Sequence, residues 1–532
     1  MKRVLVEKST YLDSISLMGI SRKVSACPGV TSAVVSMATD TNLALLKENR
    51  FDLAGLGALS ANDLVIAVDA HDAASLDAAV AAARQEIAGG TRPVATPAAG
   101  GTRGPGGATP AAGLGAALRD HPEINLVLIS VPGKYAGREA DRALRAGRHV
   151  MIFSNNVSIE DERRLNALAA ERGLLVMGPD CGTAVIGGVG LGFANHLPRG
   201  PVGIVAASGT GAQEVSSILA RMEIGVTHII GTGGRDVSET IGGASVKAGL
   251  EALIADGATK VVAIVSKLPA PTVREEILRI ASAAGKPCVV YFAGYSGVER
   301  CGNLVFARTL TETAREAARA LGVAPKGLGE STGEGLAGAG GGGAKAIYAA
   351  ASRLPASRKY VRGLYSGGTL AQEAVFVFGE RLGPVSTNMK LPGTTLLADP
   401  RTSKGHTIVD LGDDAFTRGR AHPMIDQAYR LTRLEKEIAD PETALILLDV
   451  VLGYGCNEDP CGEIARALRA LAPAACGSRP VIVASICGTP GDPQGYDRQK
   501  RELEEAGVLV AETNAVAADW VAAWAAARAG GK

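Results

Sequence analysis

Aromatic side chains are scarce, with 2 Trp, 10 Tyr and 8 Phe in 532 residues. They are not interleaved with basic runs, and 55 Lys and Arg nearly balance 54 Asp and Glu, for a net charge of +1. The chain therefore offers neither a basic footprint for nucleic acid or an anionic membrane nor a stacking platform for single strands. No uninterrupted apolar run is long enough to span a bilayer. No Gly-x-x-x-x-Gly-Lys-Ser/Thr loop occurs, so a P-loop nucleotide site is excluded. The cysteines are scattered, at Cys27, Cys181, Cys288, Cys301, Cys456, Cys461, Cys476 and Cys487. Cys456 and Cys461 have no second pair or histidine at zinc spacing, and no metal site is expected. These thiols read as small buried or loop residues of a reducing compartment. The opening Met1-Lys-Arg-Val-Leu-Val-Glu-Lys8 reads as a first strand, because a signal peptide needs a longer apolar stretch. A cytoplasmic location is expected.

Alanine and glycine are abundant, with 68 Gly, which fits α/β layers with close helix–sheet packing. At roughly 150 residues per domain the length allows three or four domains. Two stretches without apolar period, 89–113 and the Gly-rich 324–344, read as flexible linkers. Residues 1–88 alternate strand and helix as a small α/β domain, with a short helix expected at 41–49. Residues 114–198 carry a parallel βαβαβ unit with its loops on one edge. Residues 199–323 and 345–532 repeat one order of strands and loops. A duplicated flavodoxin-like domain follows, the second copy carrying insertions at 383–405 and 453–462.

The duplication is plainest in one phrase. Pro201-Val-Gly-Ile-Val-Ala-Ala-Ser-Gly-Thr-Gly-Ala-Gln-Glu214 recurs as Val361-Arg-Gly-Leu-Tyr-Ser-Gly-Gly-Thr-Leu-Ala-Gln-Glu373. Each copy reads as a buried strand, a Ser/Gly/Thr turn and a helix start. Glycine admits close approach, and free amides at the positive end of the helix dipole attract an anion. Ser208, Thr210, Ser366 and Thr369 would supply hydroxyls, and Gly209, Gly211, Gly367 and Gly368 backbone donors. The competing reading is a capping box, Thr210-x-x-Gln213 and Thr369-x-x-Gln372. Two copies favour a pair of phosphate cradles facing each other across a pseudo-twofold interface.

Loops after the following strands add side-chain chemistry, because open α/β sheets place ligands at their carboxyl edge. Arg235 in one loop, and Arg418 and Arg420 in its counterpart, could bind a phosphate or carboxylate bidentately. His422 could move a proton with its ordinary pKa. Lys267, Asn388, Lys390 and Asp449 end strands or open loops on the same edge and are weaker candidates. Each has an alternative reading as part of a solvated, ion-paired loop. Asn155 and Asn156 read as turn chemistry, and a nucleophilic Cys181 lacks a neighbouring histidine.

Several stretches resemble the α subunit of succinyl-CoA synthetase and its NDP-forming acyl-CoA ligase relatives. They are Val131-Pro-Gly-Lys-Tyr-Ala136, Gly178-Pro-Asp-Cys-Gly182, the first cradle and Gly231-Thr-Gly-Gly-Arg-Asp236. The C-terminal part resembles the ligase domain of the partner subunit. The whole chain more closely resembles the FdrA family. Gly178-Pro-Asp-Cys-Gly-Thr183, Asp410-Leu-Gly-Asp-Asp-Ala-Phe-Thr-Arg-Gly-Arg-Ala-His-Pro-Met-Ile-Asp426 and Leu448-Asp-Val-Val-Leu-Gly-Tyr-Gly455 carry that resemblance.

The resemblance implies a Rossmann-like CoA-binding-type domain at 114–198 and two succinyl-CoA-synthetase-type domains. It implies a phosphate-dependent carbamoyltransferase subunit in allantoin catabolism, converting oxalurate and phosphate to oxamate and carbamoyl phosphate. Phosphate or carbamoyl phosphate would be the ligand, with CoA as a further one, and additional carbamoyltransferase subunits or a homodimer as partners. On that reading Arg235, Asn388 and Lys390 bind substrate, and His422, Arg418, Arg420 and Asp449 do the chemistry.

The chain departs from the ligases in three ways. The loops at 293–300 and 486–492 lack the phosphorylated histidine. Lys8-Ser-Thr-Tyr-Leu12 replaces the glycine-rich first loop, and the N-terminal part is too short for an ATP-grasp domain. The alternative function is an NDP-forming acyl-CoA synthetase that needs a nucleotide-binding partner, or a scaffold without catalysis.

Overall fold

The computed structural model describes residues 1–90, 111–325 and 342–530, apart from 11, 13, 26, 40, 41, 44, 45, 48–50, 58, 61, 62, 112, 296–298, 418–420 and 472–478. Most of both expected linkers, and most of the helix expected at 41–49, lie outside the described residues. The chain forms two compact units, 1–120 with 417–421, and the remainder. No helix among the described residues is long and apolar enough to cross a membrane.

In the first unit, Leu64–Ala70 lies between Lys2–Glu7 and Val30–Met37 and pairs antiparallel with both. The period of two decides which face each residue joins. Leu64, Ile66 and Val68 pack with Leu17, Ile20 and Val24 of helix Ser14–Ser25 and with Leu76 and Val80 of helix Ala73–Gly90. Val65 and Ala67 pack with Leu46 and Phe51 on the other face.

The second unit holds three sheets. Leu126–Ile129, His149–Ile152 and Val176–Met177 form the short parallel sheet expected within 114–198. The following hairpin, Thr183–Ile186 with Val189–Gly192, was expected to belong to the same domain. It instead joins the next sheet, antiparallel to Val226–Gly231.

The two large sheets share one parallel order. In the first, Val226–Gly231 lies beside Arg199–Ala206, then Val261–Ser266, Cys288–Phe292 and Leu304–Phe306. In the second, Thr407–Asp410 lies beside Tyr360–Tyr365, then Thr443–Val451, Val481–Cys487 and Leu509–Ala511. Both are the 2-1-3-4-5 order of a flavodoxin-like fold, whose ligand crevice opens beside strands one and three. The insertion at 383–405 contributes the short strands Ser386–Thr387 and Thr395–Leu396 to the second sheet.

The halves are locked by exchanged caps. Glu214, on the first helix of one half, accepts from Asn514 N at 3.1 Å, at the start of the last helix of the other half. Glu373, on the first helix of that other half, accepts from Leu310 N at 2.6 Å, at the start of helix Leu310–Ala320. Glu373 also accepts from Asn514 Nδ2 at 2.7 Å, and both carboxyls are buried.

Candidate active site

Strands Arg199–Ala206 and Tyr360–Tyr365 run directly into helices Gly209–Arg221 and Gly368–Leu382. The two helix tips meet. Ser208 Oγ and Thr369 Oγ1 share a hydrogen bond of 2.6 Å. At the position related by the pseudo-twofold, a Cβ on Gly367 would lie 3.1 Å from Thr210 Cβ. The capping-box reading needs correction, because the N-caps are Ser208 and Gly367. Ser208 Oγ accepts from Gly211 N at 3.0 Å, whereas Gln213 Nε2 donates to Asn195 Oδ1 at 3.1 Å. Gly211 N is therefore internally bonded, not a free anion donor.

The tips are not equivalent. Asp449, on the strand beside Tyr360–Tyr365, accepts from Ser366 N and Gly367 N at 2.7 Å each and from Ser366 Oγ. Arg430 Nη2 donates to the same carboxylate at 3.0 Å and also to the Asp449 carbonyl, and both residues are buried. Asp449 thus occupies the Ser366 and Gly367 cradle itself, which removes it from the reacting groups and removes those donors from phosphate. Val265 stands at the matching place in the first half, paired with Ala206. The first tip has no internal carboxylate there. Gly209 is exposed, Thr210 is half-buried, and amides in the first turn have no acceptor within their own helix.

Three side chains gather around the mouth. Asp410 ends the strand that follows the second tip, and its Oδ1 accepts from Gly412 N at 2.9 Å. Its Oδ2 lies 2.6 Å from where a Cβ on Gly368 would stand, so glycine there makes the approach possible. Burial pushes this carboxyl up to about 7, and neighbouring Asp413 and Asp449 act in the same direction. Lys267, exposed at the end of Val261–Ser266, lowers the pKa of both Asp410 and Asp180 against the effect of burial. Its Nζ lies 3.2 Å from the Cβ position of Gly234.

His422 sits on the other side of Gly412, with Nε2 2.5 Å from that residue's Cβ position. Its Nδ1 accepts from Met424 N at 3.2 Å, which places the proton of the neutral ring on Nε2. Burial holds His422 down at about 4, so the proton shuttle expected near neutrality is corrected to a neutral N–H donor.

The remaining predicted residues lie elsewhere or are committed. Arg235 pairs with Glu162 Oε2 at 2.6 Å and donates to Val157 O at 2.9 Å, which ties it to the short sheet's segment instead of to substrate. Asn388 donates to Asp410 O at 3.0 Å and accepts from Asp410 N at 2.9 Å, so it positions the strand end. Lys390 is exposed. Arg418 and Arg420 lie outside the described residues. Cys181 is buried, with its thiol pushed up to about 12, which does not fit a nucleophile.

The loop at 486–492 is pinned. Asp492 accepts from Thr489 N, Asn195 Nδ2 and His196 N at 2.7–2.8 Å, and Thr489 Oγ1 donates to His196 O.

Close packing brings the loops together. Gly233 has φ +77°, and a Cβ on it would run into the Pro179 carbonyl. Gly233→Val is expected to lower stability by about 2–4 kcal/mol in thermal or urea unfolding, from left-handed strain plus a clash.

Comparison with known proteins agrees with this architecture. The family described as CoA-ligase matches residues 364–524, and the CoA binding domain matches 199–294, the first large sheet, instead of the 114–198 unit. Residues 1–99 match the AllF heavy metal-associated domain. YahF of Escherichia coli (strain K12) is 40% identical over 519 residues, covering 96% of each chain. The chain belongs to the FdrA family. This FdrA-family protein has an acyl-CoA-synthetase-like, succinyl-CoA-synthetase-like scaffold. Among solved structures it is similar to PH0766 from Pyrococcus horikoshii OT3, at 16% identity and a TM-score of 0.28, covering 76% of this chain and 85% of that one. It is also similar to the dinucleotide-forming acetyl-coenzyme A synthetase 1 of Ca. Korarchaeum cryptofilum, in complex with phosphate and ADP. There the identity is 16%, the TM-score 0.27, and the coverage 76% and 83%.

Among the described residues, no group of three His, Cys, Asp or Glu is placed to hold a metal ion. Asp63, immediately before strand Leu64–Ala70, accepts from Lys8 Nζ at 3.1 Å and Ser9 N at 2.9 Å in the loop after the first strand, and from Ser60 N at 2.8 Å.

Proposed function

We propose that this FdrA-family chain is the acyl-transfer component of an acyl-CoA-synthetase-like enzyme, holding the phosphate of an acyl phosphate at the tip of helix Gly209–Arg221. The observation that carries this reading is the asymmetry of the tips. One is filled by Asp449, and at the other Gly209 is exposed and Thr210 half-buried, with no carboxylate of its own strand bonded to them. Backbone donors aimed at a leaving phosphate stabilise charge as it develops. One dianion is bound at the first tip, in place of one clasped between two equal cradles.

CoA fits a second helix start. Pro132 caps Gly133–Arg145 without a side-chain bond, and Lys134 Nζ lies 4.9 Å over the Tyr135 ring. The Gly133 and Lys134 amides and the Lys134 ammonium would hold the pyrophosphate, the Tyr135 amide being bonded to Pro132 O. CoA, when bound, supplies a thiol that accepts the acyl group. A nucleotide-binding partner would supply the phosphorylation.

A carbamoyl group as the acyl unit is the second reading, with phosphate attacking oxalurate to give oxamate and carbamoyl phosphate. The pinned, histidine-free loop at 486–492 favours it, because phosphorolysis needs one phosphate site and no phosphohistidine. Further carbamoyltransferase subunits would complete that assembly.

Calorimetric titration with phosphate, carbamoyl phosphate and CoA tests both readings. Gly209→Asp places a carboxylate on the open tip, as Asp449 does on the other. It is expected to weaken phosphate or carbamoyl phosphate binding at least about tenfold, or about 1.4 kcal/mol, with unchanged CoA binding. Phosphate binding equal to wild type would remove the tip from the function.

A further inference from the structure

We propose that Asp410 takes up the proton of the transfer step and that Lys267 holds the anion opposite it. This rests on the acyl-phosphate reading and adds two groups to it. The geometry is a cluster of mixed charge drawn from both halves. Lys267 ends the third strand of the first sheet, and Asp410 ends the second strand of the second sheet. Asp410 is fixed through its backbone by Asn388 and through Oδ1 by Gly412 N. Oδ2 faces the Gly368 turn, which meets Thr210 through the neighbouring Gly367.

The groups that face Asp410 are Lys267 from the first half, Asp413 on its own loop, Asp449 from the strand beyond Tyr360–Tyr365 and His422 across Gly412. Of these, Asp449 is held in its ion pair with Arg430, and His422 is neutral and directs an N–H donor. Asp410 is therefore the group that exchanges a proton near neutrality, with its carboxyl raised to about 7.

The step balances without a further reactant. The acceptor's heteroatom attacks the acyl carbonyl carbon, forming one bond to carbon. The bond from that carbon to the phosphate oxygen breaks, and phosphate leaves with the electron pair. The acceptor's proton passes to the Asp410 carboxylate and then to water. Lys267 and the Gly209 and Thr210 amides receive the phosphate.

Sulfate, a dianion across the useful pH range, tests the arrangement by calorimetry on the full chain. Wild-type affinity is expected to fall about five- to tenfold from pH 6 to pH 8.5, as Asp410 ionises beside the bound anion. In Asp410→Asn, of nearly equal shape, affinity stays flat over that range. His422→Gln keeps the wild-type slope. Lys267→Met weakens binding at least fivefold at both ends and also keeps the slope. A sloping profile in Asp410→Asn, a flat one in His422→Gln, or full affinity in Lys267→Met overturns the assignment while leaving the anion site standing. If wild type binds neither sulfate nor phosphate, the acyl-phosphate reading falls as well. Melting curves of each variant separate loss of binding from loss of fold.

Discussion

Replacing Asp449 with leucine lowers unfolding free energy by about 3–5 kcal/mol, read as a drop in the urea midpoint with unchanged slope. Asp449 is fully buried, and its carboxylate holds two backbone amides, one hydroxyl and the Arg430 guanidinium. Truncation leaves a buried cation without its counter-charge and the amides of Ser366 and Gly367 without an acceptor. Each orphaned donor costs about 1–3 kcal/mol, and the uncompensated cation accounts for much of the rest. The attraction within the ion pair is not the main quantity at stake. Removing Arg430 as well, in Asp449→Leu with Arg430→Met, is expected to recover at least half of the loss, because no isolated charge then remains buried. A loss below 1 kcal/mol in Asp449→Leu would show that water or another cation replaces the contact, and that the second tip is not held by its own carboxylate.

The second large effect lies in the exchanged caps. Glu373→Ala leaves Leu310 N and one of the two Asn514 Nδ2 hydrogens without an acceptor, the other still donating to Leu370 O, and is expected to cost about 2–5 kcal/mol. The same carboxyl makes stability depend on pH. Burial pushes Glu373 up to about 7, with Glu214 adding in the same direction. Between the ordinary carboxyl range near 4.5 and pH 7, the folded chain therefore holds a proton that the unfolded chain releases. Stability from this group is fully present below pH 4.5 and declines as pH rises to 7, by about 3 kcal/mol in all. Glu373→Gln keeps the shape and removes the titration. The difference between wild type and Glu373→Gln, followed by urea unfolding at pH 4.5, 5.5, 6.5 and 7.5, is expected to shift against wild type by that amount. A constant difference across the series would place the proton elsewhere, with Glu214 the first residue to test.

Much of the framework is legible before any coordinates. The paired strand–turn–helix phrases and the recurrence of loop order lead to the observed 2-1-3-4-5 sheets. Local patterning sufficed there because a strand or helix start depends on residues within one turn of each other. The site was harder to read. Asp410 heads the motif that carries the family resemblance, and nothing in its own segment marks it. An aspartate ending a strand is ordinary, and its environment is set by Gly368 and Lys267, far away in sequence. Arg235 has the residue type for binding substrate, yet Glu162 on a neighbouring segment claims it. His422 has the pKa for proton transfer in water and loses it on burial.

The amino-acid sequence by itself determined that this is an α/β chain with a duplicated half, two glycine-rich helix starts and no histidine in either loop where a phosphohistidine would ride. Only the tertiary structure decided that the two starts touch and that one of them is closed. Hydrophobic period and turn chemistry are short-range properties, readable one segment at a time. Whether an amide remains free depends on the group folded against it, and Asp449 reaches Ser366 across 83 residues of chain.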